Sequence, residues 1–155
     1  AKGLNVMGVI AGDGPEGPSL RAQIAAAHLE DSFILLGHRG DATKLMQCFD
    51  AFVLPSFSEG TSMALLEAMS CGALIYANES EGISSIVQEK TNGRFFHNIQ
   101  ELRNLLTKSD PEMVALRNSL GPMARELVKK NNSLDAVVTA ELKTYSELIS
   151  YGHDY

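Results

Sequence analysis

The segment that most constrains the fold spans residues 50–72 and reads DAFVLPSFSEGTSMALLEAMSCG. It opens with a short continuous apolar run (FVL), which is typical of a strand buried on both faces of a parallel sheet. Pro55 ends this run, and a polar loop (SFSEG) follows. From Thr61 onward apolar residues recur on every side of a helix, which ends at Gly72. The segment therefore predicts a buried strand, a polar loop and a buried helix.

Strands and helices alternate through most of the remaining chain. Four further apolar runs predict strands at residues 6–11, 33–36, 73–77 and 94–96. Helical patterns separate these runs at residues 20–29, 41–49 and 83–87, and continue at 99–106, 111–130 and 134–149. This order predicts an α/β fold: a Rossmann-like parallel sheet with helices on both faces. We expect one domain over residues 1–155 with a helical tail from about residue 99, and a ligand site at the carboxyl ends of the strands.

Composition excludes several function classes. The net charge is −6 and the 13 lysines and arginines are scattered, so the electrostatic footprint of a nucleic-acid-binding protein is missing. No apolar run approaches the ~20 residues of a membrane span. Cysteine and histidine spacing suggests no metal site. The first residues, AKGLNVMGVIAG, do not resemble a signal peptide, and we expect a cytoplasmic protein.

A glycine-rich motif invites a dinucleotide-binding interpretation, which we reject. Residues 12–17 (GDGPEG) match G-x-G-x-x-G between a strand and a helix. The third glycine of such a motif should lie inside the helix, yet Gly17 stands between Pro15 and Pro18. The next strand also ends in LLGH and lacks the acidic residue that binds ribose. A tight turn explains this motif better than NAD binding.

Two glutamates, Glu59 and Glu67, flank the start of the central helix. Glu59 has a structural explanation as an acid at a helix N-terminus, and Glu67 as a carboxylate that pairs with an arginine or reaches solvent. The functional interpretation rests on their setting. The free amides of residues 60–63 open the helix and can bind phosphate or sugar hydroxyls. Two carboxylates beside these amides suit a sugar, a diphosphate and a ribose.

Five segments together carry a family resemblance. In order they read GDGP, FILLG, FVLPSFSEGTSMALLEAMSCGALIYA, GISSIV and TNGRFF. Over residues 6–96 the chain resembles the C-terminal domain of the retaining family-four (group 1) glycosyltransferases. The resemblance implies GT-B architecture, in which two Rossmann-like domains face each other across a cleft. The C-terminal domain holds the nucleotide sugar and the N-terminal domain holds the acceptor.

The resemblance also implies a set of donor-site residues. These are Gly12, Gly14, His38, Arg39, Glu59, Gly60, Thr61, Ser62, Met63, Ala64 and Glu67. Glu59 would bind the hydroxyls of the donor sugar and would be the catalytic residue. Glu67 would bind the ribose. The amides of residues 60–64 would hold sugar hydroxyls and diphosphate, and the two N-terminal glycines would let the backbone approach the nucleotide.

Three of these residues keep structural alternatives. His38 and Arg39 would border the base, but a solvated turn explains them equally well. The side chain of Met63 is expected in the core, so that only its amide serves the site.

The chain departs from the family pattern in three places. Thr61 and Ser62 replace the usual aromatic-glycine pair, and Ser85 stands where the family often has glutamate. Relatives also begin this domain with a strand and a helix that carry an arginine and a lysine for the diphosphate. Here only Lys2 is available as a partial substitute. We therefore expect a fragment, half of a split enzyme or a truncated form, without the N-terminal acceptor domain.

The expected function is that of the donor-binding half of a hexosyltransferase. A hexose would pass from a UDP-, GDP- or ADP-sugar to a glycan or lipid-linked acceptor with retention, without a metal or other cofactor. The reaction would take place in the cytoplasm, or at the cytoplasmic face of the membrane if the missing domain binds the membrane. The isolated chain is expected to be inactive. The alternative is a non-catalytic Rossmann-like docking module; a carboxylate-pair glycosidase fits poorly, because the two glutamates do not flank one bond.

Overall fold

The structure is a computed structural model that describes residues 6–151. These residues form five strands and seven helices. In chain order they are β1 (Gly8–Ala11), α1 (Gly17–Ala26), β2 (Phe33–Gly37), α2 (Ala42–Cys48), β3 (Ala51–Leu54), α3 (Met63–Ser70), β4 (Leu74–Asn78), α4 (Glu81–Ser84), β5 (Arg94–Phe96), α5 (Ile99–Leu106), α6 (Asp110–Asn132) and α7 (Leu134–Tyr151).

The predicted α/β fold is confirmed, and the strands divide into two parallel sheets. In the described part of the chain, β1 pairs with β2, while β3, β4 and β5 form a second sheet in that order. Parallel pairing brings the carboxyl ends of neighbouring strands to the same edge. The loops after β3 and β4 therefore lie side by side, 20 or more residues apart in sequence.

The two faces of the three-stranded sheet carry two cores. All five residues of β4 are buried. Ile75 and Ala77 face a cluster that includes α3 and the second half of α6. Leu74 and Tyr76 face the opposite way, toward α5 and the middle of α6. This alternation follows from the two-residue period of a strand, and it places β4 between the two cores.

Helix α6 approaches the turn after α3 closely at two glycines. Gly72 ends the turn after α3 with φ of +72°, a left-handed conformation that favours glycine. A Cβ at Gly121 in α6 would overlap the carbonyl oxygen of Gly72. The absence of a side chain at Gly121 therefore lets α6 pack directly against this turn.

Burial differs from the prediction at β3 and at α3. Leu54 is buried, but Phe52 and Val53 are only half-buried, because β3 is an edge strand of its sheet among the described residues. Helix α3 begins at Met63, two residues after the predicted start at Thr61. None of the helices described in residues 6–151 has the length and apolar character that crossing a bilayer requires.

Candidate functional site

The start of α3 presents a row of unused backbone donors. Ser62 is the N-cap in an extended conformation, and its hydroxyl accepts a hydrogen bond from the Leu65 amide at 3.4 Å. Within the described chain, the amides of residues 60–64 have no protein acceptor. These donors, together with the helix dipole, form a site that attracts anions.

Glu59 lies in the wall of an open cavity beside these amides. The cavity measures about 490 Å³ and is lined by Phe57, Ser58, Glu59, Ser80, Glu81 and Gly82. It lies between the loops after β3 and β4. Glu59 is half-buried and Glu81 is exposed. The hydroxyl of Ser80 is buried and has no hydrogen-bond partner within the described residues.

The charge of this cavity is negative. Glu59 and Glu81 contribute two carboxylates, and no lysine or arginine is among the six described residues that line it. Hydroxyl groups are good donors to such carboxylates, whereas a phosphate would be repelled. The cavity therefore suits the hydroxyl-rich part of a ligand.

Individual residues of the loop after β4 were not predicted for the site. The only signal for them was the expectation of a ligand site at the carboxyl ends of the strands. Ser80, Glu81 and Gly82 face the same cavity as Glu59 only because β3 and β4 pair in parallel. Ser85 is one of the residues that depart from the family pattern. Its hydroxyl donates a hydrogen bond to the Gly82 carbonyl at 2.7 Å and so closes the turn of α4.

Glu67 lies on the outer face of α3. It is half-buried, and it has no ion pair among the described residues, so the predicted salt-bridge alternative has no support there. It shares its helix face with Met63 and Ala64, which precede it by four and three residues. Its carboxylate thus belongs to the face that begins at the free amides, although it lines neither of the two cavities described here.

The prediction that Met63 packs in the core is wrong. Its side chain is 65% exposed. Leu65, Leu66, Ala68 and Met69 occupy the buried face of α3, and this leaves Met63 on the outer face with Glu67. The sequence predicted a helix buried on all sides, but only one side of α3 packs against the core.

Gly12 and Gly14 line a second cavity rather than the one beside Glu59. This cavity measures about 310 Å³ and lies between the β1–α1 loop and the end of β2, where Gly37 also contributes. Gly12 has φ of +148°, and its amide donates to the Gly37 carbonyl at 2.8 Å. The predicted site is therefore divided between two cavities, one on each parallel sheet.

His38 and Arg39 are exposed, and the structure favours a solvated turn for them. Arg39 donates two hydrogen bonds of 2.8 Å to the carboxylate of Asp41. These hydrogen bonds lower the pKa of Asp41. Asp41 occupies the N-cap position of α2, but its side chain does not cap the helix because it is engaged by Arg39. Neither His38 nor Arg39 lines either cavity.

The described residues contain no cluster of three or more histidine, cysteine, aspartate or glutamate side chains with metal-binding geometry. Lys2, the partial substitute for a diphosphate-binding cation, lies outside the described residues.

Comparison with known sequences finds a family model and several relatives that match this chain. A family model described as "Glycosyl transferases group 1" matches residues 1–109. N-acetyl-alpha-D-glucosaminyl L-malate synthase of Bacillus anthracis is 25% identical over 146 residues, which cover 91% of this chain and 37% of that protein. An Escherichia coli enzyme, UDP-Gal:alpha-D-GlcNAc-diphosphoundecaprenol alpha-1,3-galactosyltransferase, is 34% identical over 86 residues, or 55% of this chain and 22% of the enzyme. The chain thus spans well under half the length of these relatives.

Solved structures show the same fold. Anabaena Alr3699/HepE in complex with UDP has a TM-score of 0.80 at 24% identity, over 92% of this chain and 41% of that protein. Sucrose-phosphate synthase of Thermosynechococcus elongatus also has a TM-score of 0.80, at 19% identity over 92% of this chain and 38% of that enzyme.

Proposed function

The chain belongs to the group 1 glycosyl transferases, and on this basis we propose that it is the donor-binding part of a retaining hexosyltransferase. In this proposal it binds a nucleoside-diphosphate hexose. The acceptor is bound by a second domain of the full-length enzyme. Its α/β fold is that of the C-terminal half of GT-B glycosyltransferases.

The observation that carries the proposal is the set of free amides at residues 60–64 beside Glu59. A diphosphate bound there accepts hydrogen bonds from the helix N-terminus, and the dipole stabilises its charge. When the bond between the sugar and the diphosphate breaks, negative charge develops on the departing phosphate. The same amides then stabilise the transition state, so catalysis follows from positioning and electrostatics.

The distribution of charge supports a division of the donor between two places. The carboxylates of Glu59 and Glu81 exclude the diphosphate from the 490 Å³ cavity and accept hydrogen bonds from sugar hydroxyls. Glu67, on the outer face of α3, is the candidate for the ribose hydroxyls. The diphosphate lies between them at the helix start.

We further propose that the nucleotide is UDP and that the acceptor is lipid-linked. Anabaena Alr3699/HepE was solved with UDP and with UDP-glucose. The similar Escherichia coli and Campylobacter jejuni enzymes are named for acceptors on undecaprenol diphosphate. An acceptor of this kind would place the full-length enzyme at the cytoplasmic face of a membrane.

The test is an NMR titration of the ¹⁵N-labelled chain with UDP, with uridine as the control ligand. We expect UDP to shift the amide resonances of residues 60–64 and of Glu67. Uridine should leave residues 60–64 unchanged, since it lacks the diphosphate.

The same titration distinguishes the donor site from the alternative of a non-catalytic docking module. If millimolar UDP, GDP and ADP all leave residues 60–64 unshifted, the donor-site proposal is wrong and a non-catalytic docking role is favoured. Shifts confined to residues 12–14 would instead place the nucleotide in the second cavity.

A further inference from the structure

We propose that residues 78–82, which start at the last residue of β4, form a two-point clamp in which Asn78 and Gly82 position Glu59 in the donor site. The clamp concerns the conformation of the loop before α3, whether or not a ligand is bound. Its effect on a sugar rests on the function proposed above.

The first point of the clamp is Gly82. A Cβ at this position would overlap the carbonyl oxygen of Glu59, and it would lie 2.5 Å from the carbonyl oxygen of Gly60 and 3.0 Å from the carbonyl carbon of Glu59. All three atoms are backbone, so a side chain cannot rotate away to make room. The φ of Gly82 is outside the left-handed region, so this contact is what excludes a side chain.

The second point is Asn78, at the end of β4. Its side chain is buried, and Nδ2 donates a hydrogen bond to the Ser56 carbonyl at 3.3 Å. The loop is thus hydrogen-bonded to Asn78 three residues before Glu59 and packs against the backbone of Gly82 at Glu59 itself. Both contacts come from residues 78–82, which begin at the last residue of the fully buried strand β4.

The clamp explains how a loop of polar residues can present a carboxylate at a defined place. Loops are usually the mobile parts of a fold unless contacts tie them down. Binding sites need their groups held to well under 1 Å, because larger displacements weaken hydrogen bonds steeply. An alanine at Gly82 would push the Glu59 backbone away from the β4 segment by about 1 Å and move the carboxylate with it.

The experiment compares Gly82→Ala and Asn78→Ala with Gly121→Ala. The last variant is the matched control, because its Cβ also overlaps a backbone carbonyl oxygen, that of Gly72, but does so between α6 and the α3–β4 turn. Calorimetry measures the Kd for UDP and for UDP-glucose in each variant. NMR of the ligand-free proteins measures the resonances of Glu59 and Gly60.

We expect both clamp variants to lose about tenfold in affinity for UDP-glucose and distinctly less for UDP, because the diphosphate keeps the amides of residues 61–64 while the sugar meets a displaced Glu59. In the ligand-free spectra, Glu59 and Gly60 should shift in both variants and stay unshifted in Gly121→Ala. Asn78→Ala introduces no overlap, so it tests the clamp even if Gly82→Ala does not fold.

Equal losses for UDP and UDP-glucose, or unchanged affinities, would overturn the positioning role. Ligand-free spectra in which a folded clamp variant leaves Glu59 and Gly60 unshifted would overturn the clamp. If the wild-type chain binds neither ligand, the proposed function fails, whereas the ligand-free spectra still decide the clamp.

Discussion

Replacing Glu67 with glutamine isolates the part of donor binding that depends on its charge. Glu67 is half-buried on the outer face of α3 and has no ion pair within the described residues. Its removal therefore breaks no described contact that holds the fold. We expect the free energy of unfolding to change by less than about 0.5 kcal/mol.

The expected loss in binding follows from the chemistry of the hydrogen bond. A charged acceptor contributes about 1.5–3 kcal/mol and a neutral one about 0.5–1.5 kcal/mol. Glutamine keeps an acceptor oxygen of the same reach, so the difference of about 1–1.5 kcal/mol is what disappears. Because 1.4 kcal/mol is a factor of ten, the Kd for UDP should rise by about 5–12-fold.

Calorimetric titration with UDP and thermal melts of the same samples provide the assay. Glu141→Gln in α7 is the control, because Glu141 is an exposed glutamate of equal charge far along the chain. An unchanged Kd in Glu67→Gln would show that Glu67 does not bind the nucleotide. A melting temperature lowered by many degrees, with the Kd unchanged, would show that Glu67 is a structural residue.

Three further predictions concern stability. Ser62→Ala removes the cap of α3, which should cost about 1 kcal/mol and lower the melting temperature by about 2–4 °C; an unchanged melt contradicts the cap. Leu65→Ala empties a site that is 0% exposed, and urea unfolding should report a loss of about 2–5 kcal/mol. Burial raises the pKa of Tyr76 to about 12, so its phenol ionises more easily in the unfolded chain. This contribution to stability is complete below pH 10 and decreases as the pH rises from about 10 to 12. Tyr76→Phe should remove that decrease, with urea unfolding at pH 9 and 11 as the measurement and Tyr145→Phe as the control.

Local patterns predicted the types and order of the elements. The run FVL before Pro55 is recognised within a few residues, as are the periods of strands and helices. The start of α3 was placed two residues early because Thr61 and Ser62 are both compatible with a first turn. Ser62 became the cap because its hydroxyl reaches the Leu65 amide.

The candidate site was predicted in part because some of its residues are neighbours in the sequence. Glu59 and the amides of residues 60–64 lie on one continuous stretch, and their mutual arrangement follows from a strand, a loop and a helix. The placement of Met63 was wrong, since burial depends on which side of α3 meets the core. The pairing of Arg39 with Asp41 was also not anticipated, although the two residues are close in sequence.

The sequence by itself determined the α/β class, the strand–loop–helix unit around Glu59 and the family. These depend on interactions between near neighbours and on residue types at fixed spacing. Only the tertiary structure decided that the strands form two sheets, that Gly12 and Glu59 line different cavities, and that Gly82 packs against the backbone of Glu59. Contacts of this second kind join residues 18 or more positions apart. Their geometry is set by strand pairing and by the packing of whole elements, which no local pattern encodes.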